Sequence, residues 1–278
     1  MKNEYKTLSI IIKNALATVA IDNGPINLLD VALITDLYNA GQQLAADNTI
    51  KVIVFESANP DFFIAHADIN MIMGVSDTPQ PDDKTPSMLQ SLFEMYRHMP
   101  KVTIGKIQGL ARGGGSEFLL ALDMRFGAIG QARLAQPEVA LGLIAGGGGC
   151  TRLPKLLGRG RSMEILLGCD DFDAELAERY GYINRAIPAD EIDTFVNQLA
   201  ERISTYPAHA LASTKVLVNA AETINDDALG REYGHFYRSA TRPGMKDRMA
   251  QGLEKGMQTY DVECGEINKV IDQLEPME

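Results

Sequence analysis

Near the N-terminus apolar and β-branched positions dominate two runs, Leu8-Ser9-Ile10-Ile11-Ile12-Lys13 and Ala15-Leu16-Ala17-Thr18-Val19-Ala20-Ile21, with Asn14 between them. Runs of this kind predict two short strands joined by a turn residue. Asn23-Gly24-Pro25 then interrupts the pattern. Between Leu29 and Ala46 the period changes, and apolar residues at 31, 34, 37, 38, 44 and 45 mark one face of a helix. Lys51 to Glu56 predicts a strand, and Ser57 to Asp61 a turn. Residues 74–86, with Pro79, Pro81, Pro86 and several Asp, read as a mobile surface loop, and Ser87 to His98 as an amphipathic helix. Further strands are expected at 102–107, 124–129 and 182–187, and further helices at 116–122 and 174–180.

Strands thus alternate with helices to about residue 188, and four helical stretches follow, near 191–205, 207–223, 226–241 and 245–258. Such alternation predicts an α/β fold built from crossover units. The helical tail reads as an added layer or an assembly surface. The length, 278 residues, suits one large domain or one domain with an appendage.

Composition narrows the function. Lys and Arg number 26 against 37 Asp and Glu, a net charge of −11. That argues against a broad footprint on nucleic acid or an anionic membrane, though not against a local basic patch for a phosphorylated ligand. Cys150, Cys169 and Cys264 are too few and too scattered for a disulfide framework or a zinc site. Cys150 reads as a small buried thiol rather than a nucleophile. There is no signal-peptide pattern, and no apolar stretch approaches the ~20 residues that span a bilayer. The expectation is a soluble, cytoplasmic protein.

The candidate chemistry lies in three stretches. Gly113-Gly114-Gly115 follows a strand and opens a helix, with Glu117 on its first turn. Glycine allows another molecule to approach the backbone, and a helix N-terminus offers unpaired N–H groups. Together these suit a developing oxyanion. Glu117 is equally well explained as a surface charge favourable to the helix dipole. Glu138 leads into the apolar run Val139 to Ile144; a carboxyl buried there has a raised pKa and suits a general acid, whereas a solvated loop position leaves it inert. The third stretch, Phe62-Phe63-Ile64-Ala65-His66-Ala67-Asp68-Ile69, reads on its own as a buried apolar loop in which Asp68 caps a helix. No glycine run forms a nucleotide-phosphate loop.

In combination these stretches resemble the crotonase, or enoyl-CoA hydratase/isomerase, superfamily. The family's F-x-x-G-A-D-[IL] is matched by Phe63-Ile64-Ala65-His66-Ala67-Asp68-Ile69, and G-x-x-x-G-G-G-x-E-[LF] by Gly109 to Phe118. Its third motif is similar to Leu134-Ala135-Gln136-Pro137-Glu138 followed by Gly142 to Leu153, and Asn23 to Leu28 is similar to its early N-x-P-x-N-x-L loop.

The resemblance implies a spiral of ββα repeats over residues 1–190, holding the acyl-CoA and catalytic site. It also implies a C-terminal helical region, 191–278, for pocket cover and association into homotrimers or hexamers. The implied substrate is an acyl-CoA thioester, with no cofactor beyond the coenzyme A it carries and no metal. Ala67 and Gly114 would supply the oxyanion N–H groups. Glu117 would take a proton from water and Glu138 would protonate the α-carbon. Gly146 would help position the water. Ala65, His66, Asp68, Ile69 and Lys255 would contact the substrate. Family isomerases usually keep the Glu138 position and lose that of Glu117, so hydration or dehydration is favoured. Isomerisation, carbon–carbon cleavage and a non-catalytic binding role are the alternatives.

Three departures stand out. His66 stands where the family usually has Gly; it either narrows the thioester entrance, contacts ligand, or turns aside to pack or hydrogen-bond. Asn70 replaces a frequently basic residue, and Ala145 the usual Pro.

Overall fold

The computed structural model describes residues 5–76, 78–265 and 267–275. Strand β1 (Leu8–Lys13) folds back antiparallel on β2 (Leu16–Ile21) around Asn14, whose φ of +57° is one that Asn tolerates. Parallel pairing continues through β3 (Val52–Ser57), β5 (Val102–Ile107), β7 (Met124–Ala128) and β10 (Arg185–Ile187), giving a sheet ordered β1-β2-β3-β5-β7-β10. A second sheet is ordered β4-β6-β8-β9, from β4 (Phe62–Ile64), β6 (Leu110–Arg112), β8 (Arg133–Ala135) and β9 (Phe172–Asp173). Each short strand β4, β6 and β8 follows a long strand of the first sheet within a few residues.

The predicted strands of the first sheet are present; those of the second were not anticipated. β4 and β6 are three residues each and buried throughout, so they show no alternation to read. The strand expected over 182–187 is shorter. Tyr182 and Asn184 are used instead to hold Arg125: its Nε donates to the Tyr182 carbonyl (3.1 Å) and its backbone N–H to Asn184 Oδ1 (2.8 Å).

Helices α1 (Val31–Ala46), α2 (Ile69–Met73) and α3 (Met88–His98) start where side chains cap them. Asp30 accepts from the Leu33 N–H, Asp68 from that of Asn70, and Ser87 pairs reciprocally with Gln90. Helix α4 (Gly114–Ala121) begins two residues before the expected Ser116. A 3₁₀ turn at Glu138–Leu141 leads to α5 (Gly149–Leu157), α6 (Arg159–Gly168) and α7 (Ala174–Tyr180). Beyond β10, and among the described residues, only helices follow: α8 (Ile192–Ser204), α9 (Ala208–Ala221), α10 (Asp226–Ala240), α11 (Met245–Glu254), α12 (Tyr260–Gly265) and α13 (Ile267–Ile271). The helix expected to run to 258 stops at Glu254, because Gly256 (φ +97°) and Gln258 (φ +67°) turn the chain. α12 and α13 were not anticipated.

The main core packs α1, α3 and α4 on the first sheet. Phe55, Tyr96 and Phe118 meet edge to face there, with ring centroids 5.1–5.5 Å apart. Each fully buried Leu or Phe contributes about 1.5–3 kcal/mol. A second core lies under α8. A third joins Ile69 and Leu143 to Met245, Met249, Met257, Ile267 and Val270, so the C-terminal helices sit on the loops that carry the candidate chemistry.

Candidate active site

The His66–Ala67–Asp68 backbone is held on one side by Leu29. Leu29 bridges in parallel to Ala67: its N–H donates to the His66 carbonyl (2.9 Å), and its carbonyl accepts from the Asp68 N–H (3.2 Å). This pairing uses the groups on either side and turns the Ala67 N–H away from Leu29, because a trans peptide points its C=O and N–H in opposite directions. Gly114 lies on that side. A Cβ placed on Gly114 would fall 3.8 Å from the Ala67 nitrogen. Gly113, at φ +48°, turns the chain into α4, whose Ncap position offers no side-chain hydrogen bond. Gly114 therefore lies beside the Ala67 N–H, and among the described residues neither N–H has a hydrogen-bond partner.

The second glycine run is arranged oppositely. Glu117 is 3% exposed, which removes the surface-charge reading. Its Oε1 accepts from the N–H groups of Gly147 (2.7 Å) and Gly149 (2.9 Å) at the start of α5. Glu232, from α10, accepts from the N–H groups of Gly148 (2.5 Å) and Thr151 (2.7 Å) at the same helix end. Burial pushes the Glu117 carboxyl up, and the charge of Glu232 adds to this. The two N–H bonds pull the other way, and the carboxyl stands at about 7. Burial raises Glu232 as well.

Glu138 opens the 3₁₀ turn. The residue is partly exposed, yet its Oε2 is buried and, among the described residues, has no hydrogen-bond partner. Burial, and then the neighbouring Glu117, push this carboxyl well above the usual range. Its Oε1 faces Gly113, where a Cβ would come within 2.6 Å. Glu138, His66 and Ala67 line a cavity of about 40 Å³, otherwise walled by apolar side chains that include Ile69, Leu143, Met249, Met257 and Ile267.

A larger cavity, about 550 Å³, lies between α9 and the β5–β7 region. It contains neither Glu117 nor Glu138. Among its lining charges, Lys215 pairs with Asp123 (2.9 Å) and Arg97 with Glu222 (3.1 Å).

The remaining expected residues are placed as follows. His66 turns its ring to Glu263 and to the Ala67 carbonyl. Asp68 caps α2 and accepts from Gln258 Nε2 (3.0 Å). Ile69 joins the cavity wall, whereas Ala65 is buried, with its N–H and carbonyl bonded to Ile26 and Arg112. Gly146 packs against Phe236, and a Cβ there would lie 2.5 Å from the ring. Lys255 is exposed at the C-cap of α11 and does not line the cavity. Burial holds the Cys150 thiol protonated, which removes its nucleophile reading.

Sequence reasoning missed Glu232 and Glu263. Each sits in a helical stretch with no local signature, and only long-range contact reveals it.

Residues 11–262 match the family model for enoyl-CoA hydratase/isomerase. The chain belongs to that family. It is 28% identical over 230 residues to a crotonyl-CoA hydratase from Syntrophomonas wolfei, covering 82% of this chain and 87% of that protein. It is 32% identical to the fatty acid oxidation complex subunit alpha of Vibrio campbellii over 97% of this chain, but spans only 40% of that longer protein. Among solved structures, a Streptomyces avermitilis protein provisionally called an enoyl-CoA hydratase superposes with a TM-score of 0.87 at 35% identity, covering 97% of this chain and all of that one (100%). An enoyl-CoA hydratase from Mycobacterium avium subsp. paratuberculosis superposes with a TM-score of 0.79 at 26% identity, over 90% of this chain and 100% of that one. The family's mixed α/β fold with parallel sheets is that described above.

Proposed function

We propose that this enoyl-CoA hydratase-like enzyme adds water across the 2,3 bond of an acyl-CoA thioester, or removes it. The observation that carries this reading is the pair of buried carboxyls, Glu117 and Glu138, each raised by burial and by its charged neighbours. Two such groups cannot both ionise cheaply, so they divide the work of base and acid. Glu117, near half-ionised at neutral pH, takes the proton from water as its oxygen attacks the β-carbon. Glu138, held protonated, delivers a proton to the α-carbon. Charge developing on the thioester oxygen is met by the N–H groups of Ala67 and Gly114. In the reverse direction the two glutamates exchange roles. Water would be placed by the α5 end of the site. There the N–H of Gly147, next to Gly146, already holds Glu117.

The same reading gives the fold as a spiral of ββα units over 1–190. The succession β3-β4, β5-β6, β7-β8, each followed by helical structure, supports it. It gives 191–278 the roles of pocket cover and association. Cover is supported by Met249, Met257 and Ile267 in the cavity wall. Association as a trimer or hexamer is supported by exposed Val216 (63%), Leu217 (72%) and Val218 (61%) on α9. Three free cysteines support a reducing, cytoplasmic setting. Among the described residues no helix is long and apolar enough to cross a membrane.

Hydration of crotonyl-CoA by the purified chain, beside Glu117→Gln and Glu138→Gln, tests the mechanism. The wild type is expected to be active and each variant to lose about 10²–10⁴-fold in rate. Loss in Glu138→Gln alone, with isomerisation of a 3-enoyl-CoA retained by Glu117→Gln, would replace hydration with isomerisation.

A further inference from the structure

His66 lies between two groups that only accept hydrogen bonds. Its Nδ1 is 2.7 Å from the Ala67 carbonyl oxygen and its Nε2 is 3.1 Å from Glu263 Oε1. A neutral imidazole carries one N–H and would leave a lone pair against a lone pair at the other nitrogen. The imidazolium donates at both ends.

Glu263 is fully committed as a carboxylate. Its Oε1 also accepts from the Gln258 N–H (2.9 Å), and its Oε2 faces Arg112 (3.4 Å). Arg112 also donates to the Glu263 carbonyl (2.9 Å) and forks onto Asp171 with two bonds of 2.7 Å. His66, Glu263 and Arg112 are all nearly or fully buried. The other charged groups facing this cluster are Glu138, across the shared cavity, and Asp68, through Gln258. Counting His66, Glu263, Arg112 and Asp171, the cluster is neutral only when His66 holds its second proton. A neutral ring leaves the cluster with one uncompensated negative charge.

We infer that His66 is a positioning residue that works as an imidazolium, clamping the Ala67 peptide and tying the oxyanion loop to the C-terminal segment through Glu263. The peptide that carries the Ala67 N–H is fixed by Leu29 through the His66 carbonyl. The next peptide is fixed by His66's own ring through the Ala67 carbonyl. Both planes flanking Ala67 are thus tied. The ion pair also anchors the segment that brings Met257 and Ile267 over the cavity. Glycine at this position would leave the second peptide held only by the Asp68 N–H on the Leu29 carbonyl (3.2 Å), with its own carbonyl free to tilt.

This inference rests on the hydratase reading. The sign of its pH dependence follows from the pair. Burial works against the charged ring, and Glu263 outweighs it, so the His66 pKa is raised above its usual 6.5. The clamp is intact below that value and is released as pH rises through the raised one.

The test is long-range ¹H–¹⁵N correlation on the full chain, which has four histidines, so that the signal missing from His66→Gln is His66. In the wild type at pH 7.5 both ring nitrogens are expected to carry protons. Glu263→Gln should move that titration to lower pH, and the alkaline limb of kcat with it. The Glu263→Gln shift identifies the signal even if His66→Gln does not fold. His66→Gln should lower kcat for crotonyl-CoA by about tenfold to a hundredfold, less than the ~10²–10³ for an absent donor, with KM little changed. A neutral His66 at pH 7.5, or an alkaline limb unmoved in Glu263→Gln, would overturn the inference while an active wild type upheld the hydratase reading. A wild type that hydrates no enoyl-CoA would overturn the latter, and the protonation measurement would still decide the former.

Discussion

Two glycine runs each open a helix in this chain, and the structure treats them oppositely. At the start of α4 the N–H of Gly114 is left open beside that of Ala67. At the start of α5 the N–H groups of Gly147, Gly148, Gly149 and Thr151 are all taken by two buried carboxylates, Glu117 and Glu232. Both helix ends present the same partial positive charge. On the proposed mechanism the first is available to a negative charge that forms only during reaction. The second holds Glu117 in position and restrains its pKa. A glycine run before a helix is therefore a capacity, and the side chains that reach it decide its use.

Closing the open end is expected to have the largest effect. Gly114→Pro deletes the N–H, while proline is tolerated at the first helical residue. The added Cβ meets chiefly the end of the Leu29 side chain, at 2.8 Å. A kcat for crotonyl-CoA lowered by about 10²–10³, with a melting temperature near that of the wild type, is expected. Unchanged kcat would remove Gly114 from the oxyanion site.

Disturbing the filled end should cost less. A Cβ on Gly147 would come 2.5 Å from Glu117 Oε2, so Gly147→Ala displaces the base without removing it. A displacement on the order of 1 Å costs up to about 10²-fold. Steady-state kinetics should show the loss in kcat more than in KM.

The smallest effect is on stability, and it separates the two carboxylates. Glu117 receives both its bonds at one oxygen, so Glu117→Gln keeps them. Its folded pKa of about 7 exceeds the usual 4.5, so the folded chain binds the extra proton between those values and stability falls as pH rises through that window. Glu117→Gln lacks this slope and should be more stable than the wild type at pH 8. Glu232 accepts at both oxygens, so Glu232→Gln sets an amide against one N–H, at a cost of about 1–3 kcal/mol. Denaturant midpoints at pH 5 and pH 8 would show whether the variants part in this way.

Much of the candidate site's placement was legible. The order of four short motifs pointed to Glu117, Glu138, Ala67 and Gly114, and the structure gathers them. Asp68 was readable as a cap because a cap and its N–H partner lie two or three residues apart. The second sheet was not readable, since three-residue strands such as Phe62–Ile64 are apolar without alternation. Nor was the fate of His66, for which the residues left three readings open.

What the residues determined by themselves is local. They set where strands and helices start, where glycine lets the backbone turn, and which side chains carry a proton-transfer group. What only the tertiary structure decided is which of these meet. Gly148 and Glu232 are 84 positions apart, and His66 and Glu263 are 197 apart. Backbone conformation follows from residue types a few positions away, and periodicity records it. Burial and charge pairing follow from contacts across the whole chain. Those contacts raise Glu117 and set the partner of His66.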